Sequence, residues 1–128
     1  MKRSSKKALI DYRMKRCKET LNEVPYLIRK EFFQTSVNRI YYACFYSLNA
    51  LLLKNDISAK THSGVLNQFG LHFIRTQKIS REFGTFYSTL FNKRMSGDYA
   101  EFIAFDKETV NDLYNTAKKF VSAVEDLI

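Results

Sequence analysis

The residues best suited to chemistry in this 128-residue chain form one short run, Arg94-Met95-Ser96-Gly97-Asp98-Tyr99. An arginine near the end of an apolar helix, followed by small and polar residues, can project its guanidinium into a groove. That planar fork of donors matches phosphate oxygens two at a time. The same spacing also permits a purely structural element, with Arg94 paired to Asp98 four residues on and Tyr99 packed beneath the loop. Spacing leaves both open.

Other catalytic signatures are absent. There is no glycine-rich phosphate loop and no helical His-Glu-x-x-His. The two cysteines, Cys17 and Cys44, match no metal or redox spacing and read as buried free thiols. No metal site and no cofactor is expected. Of the two histidines, His72 lies between Leu71 and Phe73-Ile74, the setting of a core or boundary residue. His62 follows Thr61 at a helix start, where a cap or a surface position is ordinary.

Elements must exist to hold these groups. The composition is 45% apolar and 15% aromatic with four glycines and one proline, enough for a core and too few turn residues for a many-stranded sheet. An all-α, up-and-down bundle of four to five helices in one domain over 1–128 is expected. Ile10, Met14, Cys17, Leu21 and Val24 form one narrow stripe on a helix over about 6–24, which Pro25 should kink or end, with Tyr26-Leu27-Ile28 either continuing beyond it or covering one end of the core. The next helix, about 32–54, is apolar on two sides and belongs at the centre of the bundle. It carries the run Asn38-Arg39-Ile40-Tyr41-Tyr42-Ala43-Cys44-Phe45-Tyr46. A third helix over about 61–75 is weakened by Gly64 and Gly70. A fourth spans about 80–95, with a turn at Ser96-Gly97-Asp98. Asp106 reads as the N-cap of the last helix, whose stripe runs from Val110 to Leu127.

The net charge of +8 is concentrated at the start of the chain, where residues 1–30 hold ten Lys and Arg against three Asp and Glu. Such a helix suits a phosphate backbone, an acidic partner or an anionic membrane, and equally a solvated face. No apolar run approaches the roughly 20 residues that span a bilayer. The short Ala8-Leu9-Ile10 run, followed at once by Asp11, is no signal-peptide core, so no membrane association and a cytoplasmic location are expected.

Together, the Asn38–Tyr46 run, Lys60-Thr61-His62-Ser63-Gly64-Val65, Phe69 to Phe73 and the Arg94–Tyr99 element resemble the HEPN superfamily of nucleotide-binding domains. The likeness is strongest to its small prokaryotic branch and covers nearly the whole chain. It implies a helical bundle that forms a homodimer, with facing grooves that bring two arginines together. Many members are metal-independent ribonucleases with an arginine, four to six intervening residues and a histidine. Several are toxins neutralised by a nucleotidyltransferase antitoxin, and others serve as non-catalytic interaction modules.

On that pattern Arg94, Asp98 and Tyr99 are the candidate catalytic residues, and Asn38, Arg39 and Tyr42 the candidate nucleotide- or RNA-binding residues. Metal-free RNA cleavage needs an activated 2′-hydroxyl, a cation for the charge on phosphorus and a proton for the leaving oxygen. Arg94 supplies the cation. Tyr99, however, stands where the family has histidine, and no histidine follows Arg94. A tyrosine, with an ordinary pKa near 10, is a poor base at neutral pH but can donate a hydrogen bond or stack on a base. Glu101 occupies the position of the tyrosine that antitoxins modify in one toxin subgroup. His62 is the residue that could restore a proton carrier, if the bundle brings it to the groove.

Overall fold

The computed structural model describes residues 2–96 and 105–128, and the side chains of 94–96 are outside that description. Five α-helices and no strand occur among these residues: α1 (Arg3–Arg29), α2 (Phe33–Lys54), α3 (His62–Phe69), α4 (Arg81–Ser96) and α5 (Lys107–Glu125). The expected all-α bundle is the observed fold.

The stripe expected on α1 is the buried one, and the helix then continues through Pro25 for another turn. Proline removes one backbone donor and crowds the preceding turn. Val24 and Ile28 are nevertheless buried on either side of it, and their packing holds the helix together. The end of α1 comes instead at a left-handed residue, Glu31, with φ of 61°. The amide of Glu31 donates to the Ile28 carbonyl and that of Phe32 to the Leu27 carbonyl, which satisfies carbonyls the helix leaves open. Asp56, with φ of 58°, closes α2 in the same way, through bonds from Asp56 to Leu53 and from Ile57 to Leu52.

α1 and α2 form an antiparallel hairpin whose register is visible in side-chain pairs. Lys6 faces Asp56, Arg13 reaches the Asn49 carbonyl, Arg16 meets Tyr46, and Glu23 pairs with Arg39. α2 packs against all four other helices, and Val37, Ile40, Tyr41, Cys44, Leu48 and Leu51 on it are buried. Its second apolar stripe is half-buried at Tyr42, Phe45 and Asn49 and buried at Leu52.

An aromatic column ties the far side together. Tyr41 of α2 stacks on Tyr87 of α4 at 5.7 Å, and Tyr87 stacks on Phe120 of α5 at 5.8 Å. Phe69 of α3 meets both Tyr87 and Phe120 edge-on at 5.7 Å. α4 and α5 are antiparallel: Phe83, Phe86 and Tyr87 adjoin Phe120, while Lys93 lies over the ring of Phe105 just before α5. Asp106 caps α5 as expected, its carboxylate accepting from the Thr109 amide at 2.7 Å. That bond holds the carboxyl below its ordinary pKa.

The third helix differs from expectation in its second half. After Phe69 the chain widens into a π-helical turn over Gly70–Ile74, closed by the Arg75 amide on the Gly70 carbonyl. A helix with a glycine in it resists this distortion less than one without. The turn brings Ile74 against Gly84, where a Cβ on the glycine would lie 3.0 Å from the Ile74 side chain.

Candidate functional site

The half-buried side of α2 carries two of the six residues singled out in the sequence. Asn38 and Tyr42 are one turn apart on one face, with Asn38 exposed and Tyr42 half-buried. Arg39 turns the other way, toward α1, where its Nε lies 3.4 Å from Glu23 Oε2. The structure therefore groups Asn38 with Tyr42 and sets Arg39 apart with a carboxylate. Of the remaining three, Asp98 and Tyr99 lie outside the described residues. Arg94 is described by its backbone alone, within the last turns of α4.

His62 is the unexpected member. Thr61, not His62, is the cap of α3, its side chain accepting from the Gly64 amide at 2.9 Å. His62 is thereby fixed as the first residue of the helix, and its ring turns inward onto α2. It stacks on Phe45 at 4.3 Å and meets Tyr42 edge-on at 5.8 Å. His62 Nδ1 lies 2.9 Å from the hydroxyl of Tyr41, a residue with no exposed surface. The Tyr87 hydroxyl donates to Tyr41 in turn, over a long 3.5 Å. Either group can be the donor in the Tyr41–His62 bond; a Tyr41 hydroxyl that accepts from Tyr87 gives its own proton to Nδ1, which leaves the neutral imidazole protonated on Nε2. An ordinary cap or surface role thus gives way to a half-buried ring bonded into the core. The sequence hid this because 21 residues separate Tyr41 from His62. His72, read as a core or boundary residue, is half-buried on the π-helical turn.

A second feature missed in the sequence lies across the α1–α2 seam. Arg16 donates to the hydroxyls of Tyr12 at 3.3 Å and Tyr46 at 3.2 Å, and its guanidinium carbon stands 5.0 Å from the Tyr46 ring centre. The Tyr46 ring is 6.1 Å from that of Tyr42. The pattern Tyr12-x-x-x-Arg16 was the available signal, one helical turn apart and aligned with the tyrosines of α2.

No cluster of three His, Cys, Asp or Glu side chains able to hold a metal occurs among the described residues. Cys17 and Cys44 are free and fully buried. Burial, reinforced by Glu125, pushes the Cys17 thiol up to about 12, and burial raises Cys44 strongly too. These are packing residues without nucleophilic character at neutral pH. Among the described residues no helix is long and apolar enough to cross a membrane.

Comparison with known proteins agrees with the architecture. The family model for the HEPN domain matches residues 10–127. The chain is 41% identical to a UPF0332 protein of Thermotoga maritima, over 98% of this chain and 95% of that one. It is 33% identical to a Methanocaldococcus jannaschii protein named "Putative toxin MJ0142", over 85% of this chain and 74% of the other. A second protein of that organism, named "Putative toxin MJ0605", is 31% identical over 84% of this chain and 79% of its own. With a helical bundle organised around α2 and a match from the first helix to the last, this chain belongs to the HEPN family.

Proposed function

We propose that this chain is a toxin-like HEPN protein of a toxin–antitoxin or defence system that acts on RNA or nucleotide phosphate. In this reading it is a homodimer, and Arg94 holds a phosphate. Asp98 orients the guanidinium, while Tyr99, Asn38 and Tyr42 line the same groove, with Arg39 at its edge. The observation that carries the reading is the course of α4 along α2. Tyr87 of α4 stacks on Tyr41 of α2 at 5.7 Å. Arg94 follows Tyr87 by two helical turns on α4, and Asn38 precedes Tyr41 by about one turn on α2, which supports a groove shared by these two helices. Relatives named as toxins support the biological setting.

Arginine supplies charge for phosphorus, and tyrosine can hold or stack a base. Cleavage needs a proton carrier as well. Tyr99 is a poor one at neutral pH, so His62 is the residue to examine if the protein cuts RNA. The replacement of the motif histidine favours a second reading. In it, the chain is a non-catalytic dimer that pairs with a nucleotidyltransferase-like partner.

The test compares purified protein with Arg94→Ala in single-stranded RNA binding and cleavage. Loss of binding in the variant is the expected result, and equal behaviour of the two proteins would remove Arg94 from the site. Stable association with a purified nucleotidyltransferase encoded beside it, with no cleavage by either protein, would select the second reading.

A further inference from the structure

The cations on α1 differ in how their charge is met. Lys7 and Lys15 pair with acids one turn on, Asp11 and Glu19, while Lys6 pairs with Asp56 and Lys18 with Glu125. Arg13 and Arg16, in the middle of the helix, make no ion pair among the described residues. Arg13 donates to the Asn49 carbonyl and Arg16 to two tyrosine hydroxyls, all neutral acceptors that leave both positive charges uncompensated. These two arginines adjoin the aromatic faces of the seam. Tyr12 is 53% exposed, the Arg16 guanidinium lies over Tyr46, and Tyr46 continues through Tyr42 to His62.

We infer that this seam is a second nucleic-acid contact, a platform on which unpaired bases of a single strand stack while Arg13 and Arg16 meet its phosphates. The inference rests on the reading that the protein engages RNA, and it adds a surface on α1 and α2 that the Arg94 element does not include. A single-stranded polyanion meets both properties of the seam at once. Its bases have a π-face for tyrosine and guanidinium, and its backbone supplies the negative charge that the arginines lack. A duplex hides its bases and uses the charge alone. Holding Arg16 between two tyrosine hydroxyls also limits the side-chain entropy lost on binding.

The experiment is fluorescence anisotropy with a labelled oligouridylate, and with the same strand annealed to its complement. The proteins are wild type, Tyr12→Ala, Arg16→Ala and Arg94→Ala. Tyr12 and Arg16 are exposed, so their variants should melt as the wild type does. The expected result is a loss of about fivefold or more in single-strand affinity for Tyr12→Ala and Arg16→Ala, with the duplex less affected. Tyr12→Phe should retain binding, since it keeps the ring. Wild-type affinity in both alanine variants overturns the seam. If Arg94→Ala alone loses the RNA, the seam falls and the Arg94 reading stands. If the seam variants lose it and Arg94→Ala does not, the reverse holds. A wild type that binds neither strand overturns both. Light scattering closes the remaining route: a fall in molar mass for Tyr12→Ala without loss of RNA would make the seam a contact between two copies, and the inference would be wrong.

Discussion

Tyr41 and His62 join the core of the bundle to the half-buried side of α2: a hydroxyl with no exposed surface lies 2.9 Å from Nδ1 of a half-buried imidazole. The bond fixes which ring nitrogen is turned toward the core. It also anchors the first residue of α3 to the middle of α2.

The neutral ring of His62 should therefore be the Nε2–H tautomer. Long-range proton–nitrogen NMR reads this directly, and an Nδ1–H signal for the neutral ring would contradict the donor order from Tyr87 to Tyr41 to His62. Tyr41→Phe should lower stability by about 1 kcal/mol, the ordinary net value of such a bond, measured by urea denaturation.

Two glycines should respond in opposite directions to alanine. At Gly84 an added Cβ would stand 3.0–3.2 Å from three carbons of Ile74, so α4 or the π-helical turn has to move. That overpacking costs about 1–3 kcal/mol, more than the roughly 1 kcal/mol that alanine gains in a helix. At Gly70 nothing lies within 4 Å, and Gly70→Ala should be neutral or stabilising by up to about 1 kcal/mol. Paired denaturation curves decide both, and a stabilised Gly84→Ala would show that the contact yields freely.

Glu31 holds a left-handed backbone, φ 61°, at the position after α1 where glycine is free of a Cβ penalty. Glu31→Gly should raise the melting temperature, gaining about 1 kcal/mol less the entropy that glycine adds to the unfolded chain. Asp56 is in the same conformation but also pairs with Lys6, and Asp56→Gly should gain less. Equal melting of Glu31→Gly and wild type would mean that the terminal bonds of α1 already offset the strain.

Both thiols should be silent to a disulfide reagent at pH 8 in the folded protein and react fully once it is unfolded. Burial holds Cys17 at about 12 and Cys44 well above the ordinary thiol value, so each keeps its proton in the native state where the unfolded chain releases it. The native state then binds more protons, and stability is complete below the unfolded thiol pKa near 8.5 and declines as the pH rises toward 12. Denaturation midpoints at pH 7 and pH 10 check the sign, and a flat profile over that range would show that the thiols are accessible.

Much of this fold is written locally. The stripe on α1, the two apolar sides of α2 and the Asp106 cap depend on residues three or four apart, and the structure carries each of them. The Asn38–Tyr46 run and the Arg94 element pointed to HEPN before any contact was known, since both are contiguous in the chain. Whether the chain stays helical past Pro25 was open in the sequence, and the burial of Val24 and Ile28, a tertiary term, goes with its continuing to Arg29. Tertiary structure alone decided that His62 turns inward to Tyr41, that Arg39 is committed to Glu23, and that Arg16 bridges Tyr12 and Tyr46. Each depends on the register between elements distant in sequence, which is set by the sum of many packing contacts and leaves no short-range pattern to read.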